Sequence, residues 1–167
     1  MAILDVLRRL ATEWSSPRSA THHGTPTAFR LSCTLDEMPA DGDAGVALPP
    51  PLAEFWQEAR GARLFEDAVH GQWGLILSSP EASAARSHRF SEEREHQARP
   101  GDLIVGEFLG DQDLLLVRCD PAVSDFGTVL VALPLDDRED WYVVAPSLTA
   151  FLEKYEQEEG AKFWEVV

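Results

Sequence analysis

The first fourteen residues carry apolar side chains at intervals of three and four positions. This spacing places them on one face of a helix, and Pro17 would follow its end. The residues that share this face are Ile3, Val6, Leu7, Leu10, Ala11 and Trp14. The pattern predicts an amphipathic first helix that packs one side against a core.

Two later segments, near the middle and at the end of the chain, have the start and stop signals of helices. Pro51 suits the first turn of a helix over residues 52–59, which Gly61 would end. Ser147 is placed to cap a last helix that ends before Gly160. Helices are therefore expected near the middle and at the end of the chain.

A highly charged stretch between these two segments also predicts a helix. Ser79 would be its N-cap and Pro80 its first residue, and the helix would continue to about residue 98. Its apolar face is thin, with Ala82, Ala85 and Phe90 as the expected contacts to the core.

Short apolar runs separated by turn residues predict strands. The predicted strands are 73–77, 103–109, 114–119, 128–133 and 141–144. Because several follow one another with only turns between them, they predict an antiparallel sheet of about four to six strands, and hence an α+β fold with helices at both ends. The Ser, Thr, Gly and Pro-rich stretch 17–47 is predicted to be a long loop or insertion, in which 28–33 could form one strand.

A single domain over residues 1–167 with one shared core is expected from the length. The residues expected to meet in that core are Phe55, Trp56, Leu75, Ile76, Phe151 and Leu152.

The 29 Asp and Glu residues against 14 Lys and Arg give a formal charge of −15. Such a charge repels phosphate backbones and anionic lipids, so neither nucleic acid nor a membrane is an expected partner. A basic partner would instead be attracted. The start of the chain lacks the pattern of a signal peptide, and Cys33 and Cys119 suit reduced thiols, which together predict a cytoplasmic protein.

Motifs that carry chemistry are missing from the sequence. There is no Gly-x-Ser-x-Gly, no Walker loop and no Gly-x-Gly-x-x-Gly. Glu93 and His96 have the spacing of a di-iron ligand pair, but the companion ligands of such a site do not occur. We therefore expect no catalytic residue, no metal site and no cofactor.

Acidic residues cluster in two predicted turns next to the strands. The candidate partner-binding residues are Asp111, Asp113, Asp136, Asp137, Glu139, Asp140 and Trp141. Charges around an aromatic side chain are typical of an interface with an anchor and a steering rim. The alternative is that the acids solvate turns while Trp141 packs inside the protein.

The order of elements, together with particular residues, resembles the SUKH superfamily, which contains Smi/Knr-type cell-wall regulators and bacterial immunity proteins. The similar residues in the opening segment are Leu48-Pro49, Leu52, Phe55-Trp56, Arg60-Gly61 and Leu64-Phe65. Further along they are Trp73-Gly74-Leu75-Ile76-Leu77, Ser79-Pro80-Glu81, Ile104-Val105-Gly106, Ser147, Phe151 and Leu152. The resemblance spans residues 48–158.

This resemblance implies a non-catalytic domain that binds a protein. The first hypothesis is an immunity protein that neutralises a cognate toxin, often a basic nuclease, by direct binding. A regulatory scaffold of the same fold and an unrecognised small-molecule enzyme or sensor are the alternatives. The sequence leaves the identity of the partner and the oligomeric state open.

Overall fold

The computed structural model describes residues 2–165, which form four helices and eight strands. The helices are α1 (Ile3–Glu13), α2 (Pro50–Glu58), α3 (Pro80–Glu93) and α4 (Leu148–Gln157). The strands are β1 (Arg18–His22), β2 (Thr25–Asp36), β3 (Gly61–Glu66), β4 (Leu75–Leu77), β5 (Asp102–Phe108), β6 (Leu114–Arg118), β7 (Val129–Ala132) and β8 (Tyr142–Ala145). The α+β class is confirmed.

All eight strands belong to one open antiparallel sheet, and their order in the sheet is their order in the chain. The predicted number of four to six strands is therefore too low. One added strand is β3, which begins at Gly61, the glycine that was expected to end α2, so the sequence there indicates a turn rather than a separate apolar run.

The prediction of a long loop over 17–47 is wrong for residues 18–36, which form the hairpin of β1 and β2. The two strands are joined at His23 and Gly24, whose φ angles are 52° and 81°. Two successive left-handed residues match the turn that fits the twist of a hairpin. Polar residues fill these strands because much of the hairpin is exposed, and such strands lack the apolar alternation that sequence patterns detect.

The helices lie on opposite faces of the sheet. On one face, here called the inner face, α1, α2 and α4 bury the large apolar core, which includes Leu75, Phe151 and Tyr155. On the other, here called the outer face, α3 packs against β5 over a small cluster. The members of that cluster are Phe90, Ile104, Leu116, Leu130, Ala132 and Trp141.

Two expectations about buried residues are corrected by this arrangement. Ile76 was expected in one core with Phe55, Trp56, Leu75, Phe151 and Leu152, but it is only half-buried and lies outside that core. Side chains alternate along a strand, so Ile76 points to the outer face while Leu75 and Leu77 point to the inner face. On α3 the buried residues are Pro80, Ser83 and Phe90, whereas Ala82 and Ala85 are exposed. The face of α3 therefore includes small polar residues that an apolar stripe could not reveal.

Serine caps form where they were predicted. The N–H of Ala82 donates to Ser79 Oγ at 3.2 Å, and the N–H of Ala150 donates to Ser147 Oγ at 3.1 Å. Each bond satisfies one free donor at a helix start. Within residues 2–165, no helix has the length and apolar character needed to cross a lipid bilayer.

Candidate partner-binding site

The acidic run lies in the connection between β7 and β8, which we call the acidic loop (residues 134–140). It includes a single 3-10 turn, Arg138–Asp140. The same end of the sheet carries the turn between β5 and β6, because β6 runs antiparallel to both of its neighbours. The structure therefore brings both predicted acidic clusters to one end of the molecule.

Two residues after α3 hold the acidic loop in place. The guanidinium of Arg94 donates to the carbonyl oxygens of Pro134 and Asp136, the latter at 2.7 Å. Gln97 accepts from the N–H of Arg138 at 2.5 Å and donates to Asp137 Oδ1 at 3.1 Å. Apart from the bond to Asp137, these bonds hold the backbone of the loop, so its other carboxylates remain free to face solvent.

A nearly buried charge network continues beneath the loop. Arg138 donates to both oxygens of Asp102, at 2.6 and 3.0 Å, while Arg118 donates to Asp102 Oδ1 at 2.7 Å. Arg118 also donates to Asp125 Oδ2 at 3.0 Å and to the carbonyl of Pro100 at 2.9 Å. The Asp102 and Arg118 side chains are 7% and 4% exposed. Forked bonds of this kind fix direction as well as charge, so they orient the 3-10 turn.

Trp141 lies under the acidic loop and is 6% exposed. Its ring packs on Phe90 at a centroid distance of 5.8 Å, Arg138 stacks over it at 5.1 Å, and its indole N–H donates to the carbonyl of Asp136 at 3.3 Å. The side chain is thus part of the outer cluster and braces the loop from below. A partner cannot enclose this ring without moving the loop.

Asp111 and Asp113 face a different group from the other acids. Lys162, which is almost buried, forms an ion pair with Asp111, and its Nζ is 4.0 Å from Asp113 Oδ2. The ammonium also lies over the rings of Trp73 and Phe108, at 5.2 and 5.6 Å. Burial lowers the pKa of Lys162. Asp111 pairs with this cation and Asp113 is buried beside it, so both are less available to a partner than an unpaired surface acid.

Asp113 itself is buried, with 6% of its surface exposed. Burial is the main cause that raises the pKa of its carboxyl to about 6, and the charges of Glu165 and Asp136 raise it further. A carboxyl of this kind is less readily ionised than a surface acid. Asp113 is therefore a poor candidate for steering a partner.

The remaining four acids are exposed, and the structure adds two apolar residues that the sequence patterns missed. Asp136, Asp137, Glu139 and Asp140 all lie at the surface. Leu135, in the middle of the loop, is 93% exposed, and Val143 on β8 is 70% exposed. The dipeptide Pro134-Leu135 has no helical or strand spacing, so nothing in the sequence marked Leu135 as a surface residue.

A cavity of about 410 Å³ lies next to these residues on the outer face. Leu130, Trp141 and Val143 form its apolar wall, and Asp125 and Glu139 contribute carboxylates. Exposed apolar side chains beside acids are a composition typical of interfaces.

Reactive groups are not assembled elsewhere in the described chain. Residues 2–165 contain no group of three or more His, Cys, Asp or Glu side chains placed to hold a metal ion. Burial raises the pKa of Cys33 and of Cys119 to about 12, so both thiols are neutral near pH 7.

The fold and the loop together define an α+β protein whose candidate site is a charged surface. A family comparison identifies this class: the chain belongs to the SMI1 / KNR4 family (SUKH-1), whose model matches residues 41–154. The resemblance to the SUKH superfamily is confirmed. Neither a curated protein nor a solved structure matches the chain.

Proposed function

We propose that this chain is a non-catalytic immunity protein that neutralises a toxin by direct binding, and that the acidic loop is its contact surface. Proteins of this family typically bind protein partners. The observation that carries the proposal is the loop itself, whose conformation is held by bonds of Arg94 and Arg138 while its four carboxylates and Leu135 are exposed.

The charge of the chain indicates the kind of partner. With a formal charge of −15, the molecule attracts a basic surface over several ångströms. A toxin that acts on nucleic acid has such a surface, and the exposed carboxylates of the loop would occupy the positions that phosphates take on it. In this proposal Asp136, Asp137, Glu139 and Asp140 steer the encounter, and Leu135 contributes the apolar contact that slows dissociation.

The first experiment identifies the partner by affinity purification of the tagged chain with mass spectrometry. A toxin that co-purifies and loses activity when the chain is added supports the immunity proposal. A partner that binds without losing activity indicates a regulatory scaffold of the same fold, and a bound metabolite without any protein contradicts the proposal.

The second experiment tests the loop by stopped-flow binding to the captured partner. Neutralising the four acids, as Asp136→Asn, Asp137→Asn, Glu139→Gln and Asp140→Asn, should lower the association rate about tenfold at low salt, because steering contributes between one and three decades. The matched control neutralises four exposed acids on other elements, Asp5, Glu13, Asp41 and Glu54. Equal losses in both variants would show that only net charge matters and that the loop is not the contact.

The apolar contact has its own pair of variants. Leu135→Ala should raise the dissociation rate and leave association nearly unchanged, since most interface truncations act on dissociation. Val69→Ala removes a side chain of similar exposure, 77%, from the loop between β3 and β4 and should change neither rate. Wild-type dissociation of the Leu135 variant would place the contact elsewhere.

A further inference from the structure

A groove on the outer face has the opposite character to the acidic loop. It is a cavity of about 480 Å³ between α3 and the end of the sheet, a size within the usual range of ligand sites. Its principal lining residues are Arg86, Arg89, Arg94, Phe90, Leu114 and Pro134. Three of the 14 basic side chains of a strongly acidic chain thus meet in one place.

The three arginines differ in what they already bind. Arg86 donates to Glu107 Oε2 at 2.7 Å, and Arg94 is occupied by the carbonyl oxygens of the acidic loop. Arg89 is exposed and has neither a hydrogen bond nor an ion pair with any residue the structure describes. One guanidinium, with all of its side-chain donors, is therefore available to an anion in the groove.

The rest of the lining limits which anion fits. Two carboxylates, from Glu93 and Glu107, also reach the groove, so the three guanidinium groups exceed the acids by a single positive charge. A phosphate, with close to two negative charges, would exceed the single surplus positive charge, whereas one carboxylate would match it. The apolar side chains of Phe90, Leu114 and Pro134 offer a floor for the carbon atoms that carry such a group.

We propose that this groove binds an extended segment of a protein partner that carries one acidic side chain, whose carboxylate pairs with Arg89. Guanidinium and carboxylate groups form two parallel hydrogen bonds, which would fix the segment across α3. The groove adjoins the acidic loop, since Pro134 lines it, but its proposed contact uses Arg89 rather than the loop carboxylates and requires neither a toxin nor a basic surface.

The test uses a capped peptide, acetyl-Ala-Glu-Ala-amide, added to ¹⁵N-labelled protein. Resonances of the Gln112 side-chain amide and the Leu114 backbone amide, both in the groove, should shift progressively as the peptide is added to about 20 mM, enough to detect a Kd of a few millimolar. The Gln counterpart of the peptide should cause much smaller shifts. Absence of these shifts, or equal shifts with both peptides, would overturn the proposal.

Variants assign the effect to the arginine. Arg89→Gln keeps a good helix former in α3 and should abolish the shifts, while Arg89→Lys should retain part of them. Arg30→Gln on β2 is the matched control, because Arg30 is also exposed and without a hydrogen bond or ion pair among residues 2–165. Equal losses in the Arg89→Gln and Arg30→Gln proteins would indicate general charge attraction and overturn the assignment.

Inorganic phosphate is the competing ligand. Shifts at Gln112 and Leu114 that saturate at a lower concentration with phosphate than with the peptide would contradict the carboxylate site. These outcomes do not depend on the captured partner. The peptide can fail to bind the groove while the four-acid variant still slows association with the partner. Conversely, the peptide can bind while neutralising the acidic loop leaves the association rate unchanged. Failure of the groove and failure of the immunity proposal are thus distinguishable.

Discussion

The two faces of the sheet are held by different kinds of interaction. The inner face joins three helices through an apolar core that contains most of the large buried side chains. The outer face has one helix, a six-residue apolar cluster and the network of Arg118, Asp102 and Arg138. Apolar burial has no direction and mainly stabilises, whereas forked ion pairs fix orientation. The comparison teaches that the inner face maintains the fold while the outer face positions the candidate contacts.

The largest effect is expected on the inner face. Trp56→Ala removes a ring that is 4% exposed and an indole N–H that donates to the carbonyl of Ser78 at 2.9 Å. It should lower the free energy of unfolding by about 3–5 kcal/mol, measured by urea denaturation. Leu135→Ala truncates an exposed side chain, so its free energy of unfolding should stay within about 0.5 kcal/mol of wild type. Similar losses in both variants would remove the distinction between core and loop.

A somewhat smaller effect is expected from the network on the outer face. Asp102→Asn leaves Arg118 and Arg138 without their shared carboxylate and should cost about 3 kcal/mol, the lower end for breaking a buried pair. The variant should also release the 3-10 turn, which proteolysis or amide exchange at residues 138–140 would detect. A destabilised protein whose loop stays protected would show that the network stabilises the sheet but does not position the loop.

The buried acid at the end of the sheet predicts a smaller, pH-dependent effect. Because the pKa of Asp113 is raised from 3.8 to about 6, the folded protein holds this proton more tightly than the unfolded chain. The contribution to stability is complete below the unfolded pKa and is lost as pH rises through about 6. Asp113→Asn should therefore gain stability relative to wild type between about pH 4 and pH 7, on the order of 1 kcal/mol in urea unfolding. A pH-independent difference would contradict the raised pKa.

The smallest effect comes from two serines of α3. Ser83 is fully buried, and its hydroxyl has no hydrogen-bond partner in the described chain, so Ser83→Ala should be neutral or stabilising by up to about 1 kcal/mol. Ser87 Oγ accepts from the N–H of Ile104 at 2.8 Å, and Ser87→Ala should cost about 1 kcal/mol. The two substitutions remove the same atom from one helix, and thermal melting compares them directly. An equal cost would mean that both hydroxyls are satisfied.

Much of the fold could be predicted because apolar spacing and serine or proline signals are local. These local signals were enough to predict the four helices and the succession of strands from β5 to β7. The order of these elements, with particular residues, was enough to recognise the family. The hairpin of β1 and β2 could not, since its polar strands lack an apolar alternation. The direction of Ile76 was also missed, because a run in which both faces are apolar does not reveal which face meets the larger core.

The candidate site was predictable only as a set of charges. The sequence showed where acids cluster, but the roles of Asp113 and Trp141 depend on distant residues. Lys162 lies about fifty positions after Asp113 in the chain, and Arg94 reaches the acidic loop from α3. Long-range partners of this kind decide which acids are exposed, and no local pattern encodes them.

The consecutive order of the strands has a consequence for the rate at which the protein folds. Every strand pairs with its neighbour in the chain. Except where α2 separates β2 from β3 and α3 separates β4 from β5, the connections are short, and closing them costs little loop entropy. The contacts of α1 with α4 join opposite ends of the chain, as in the ion pair of Arg9 with Glu156. The short hairpins are expected to form early, and the two terminal helices, which join the ends of the chain, would dock last. Substitutions between α1 and α4 should then chiefly accelerate unfolding.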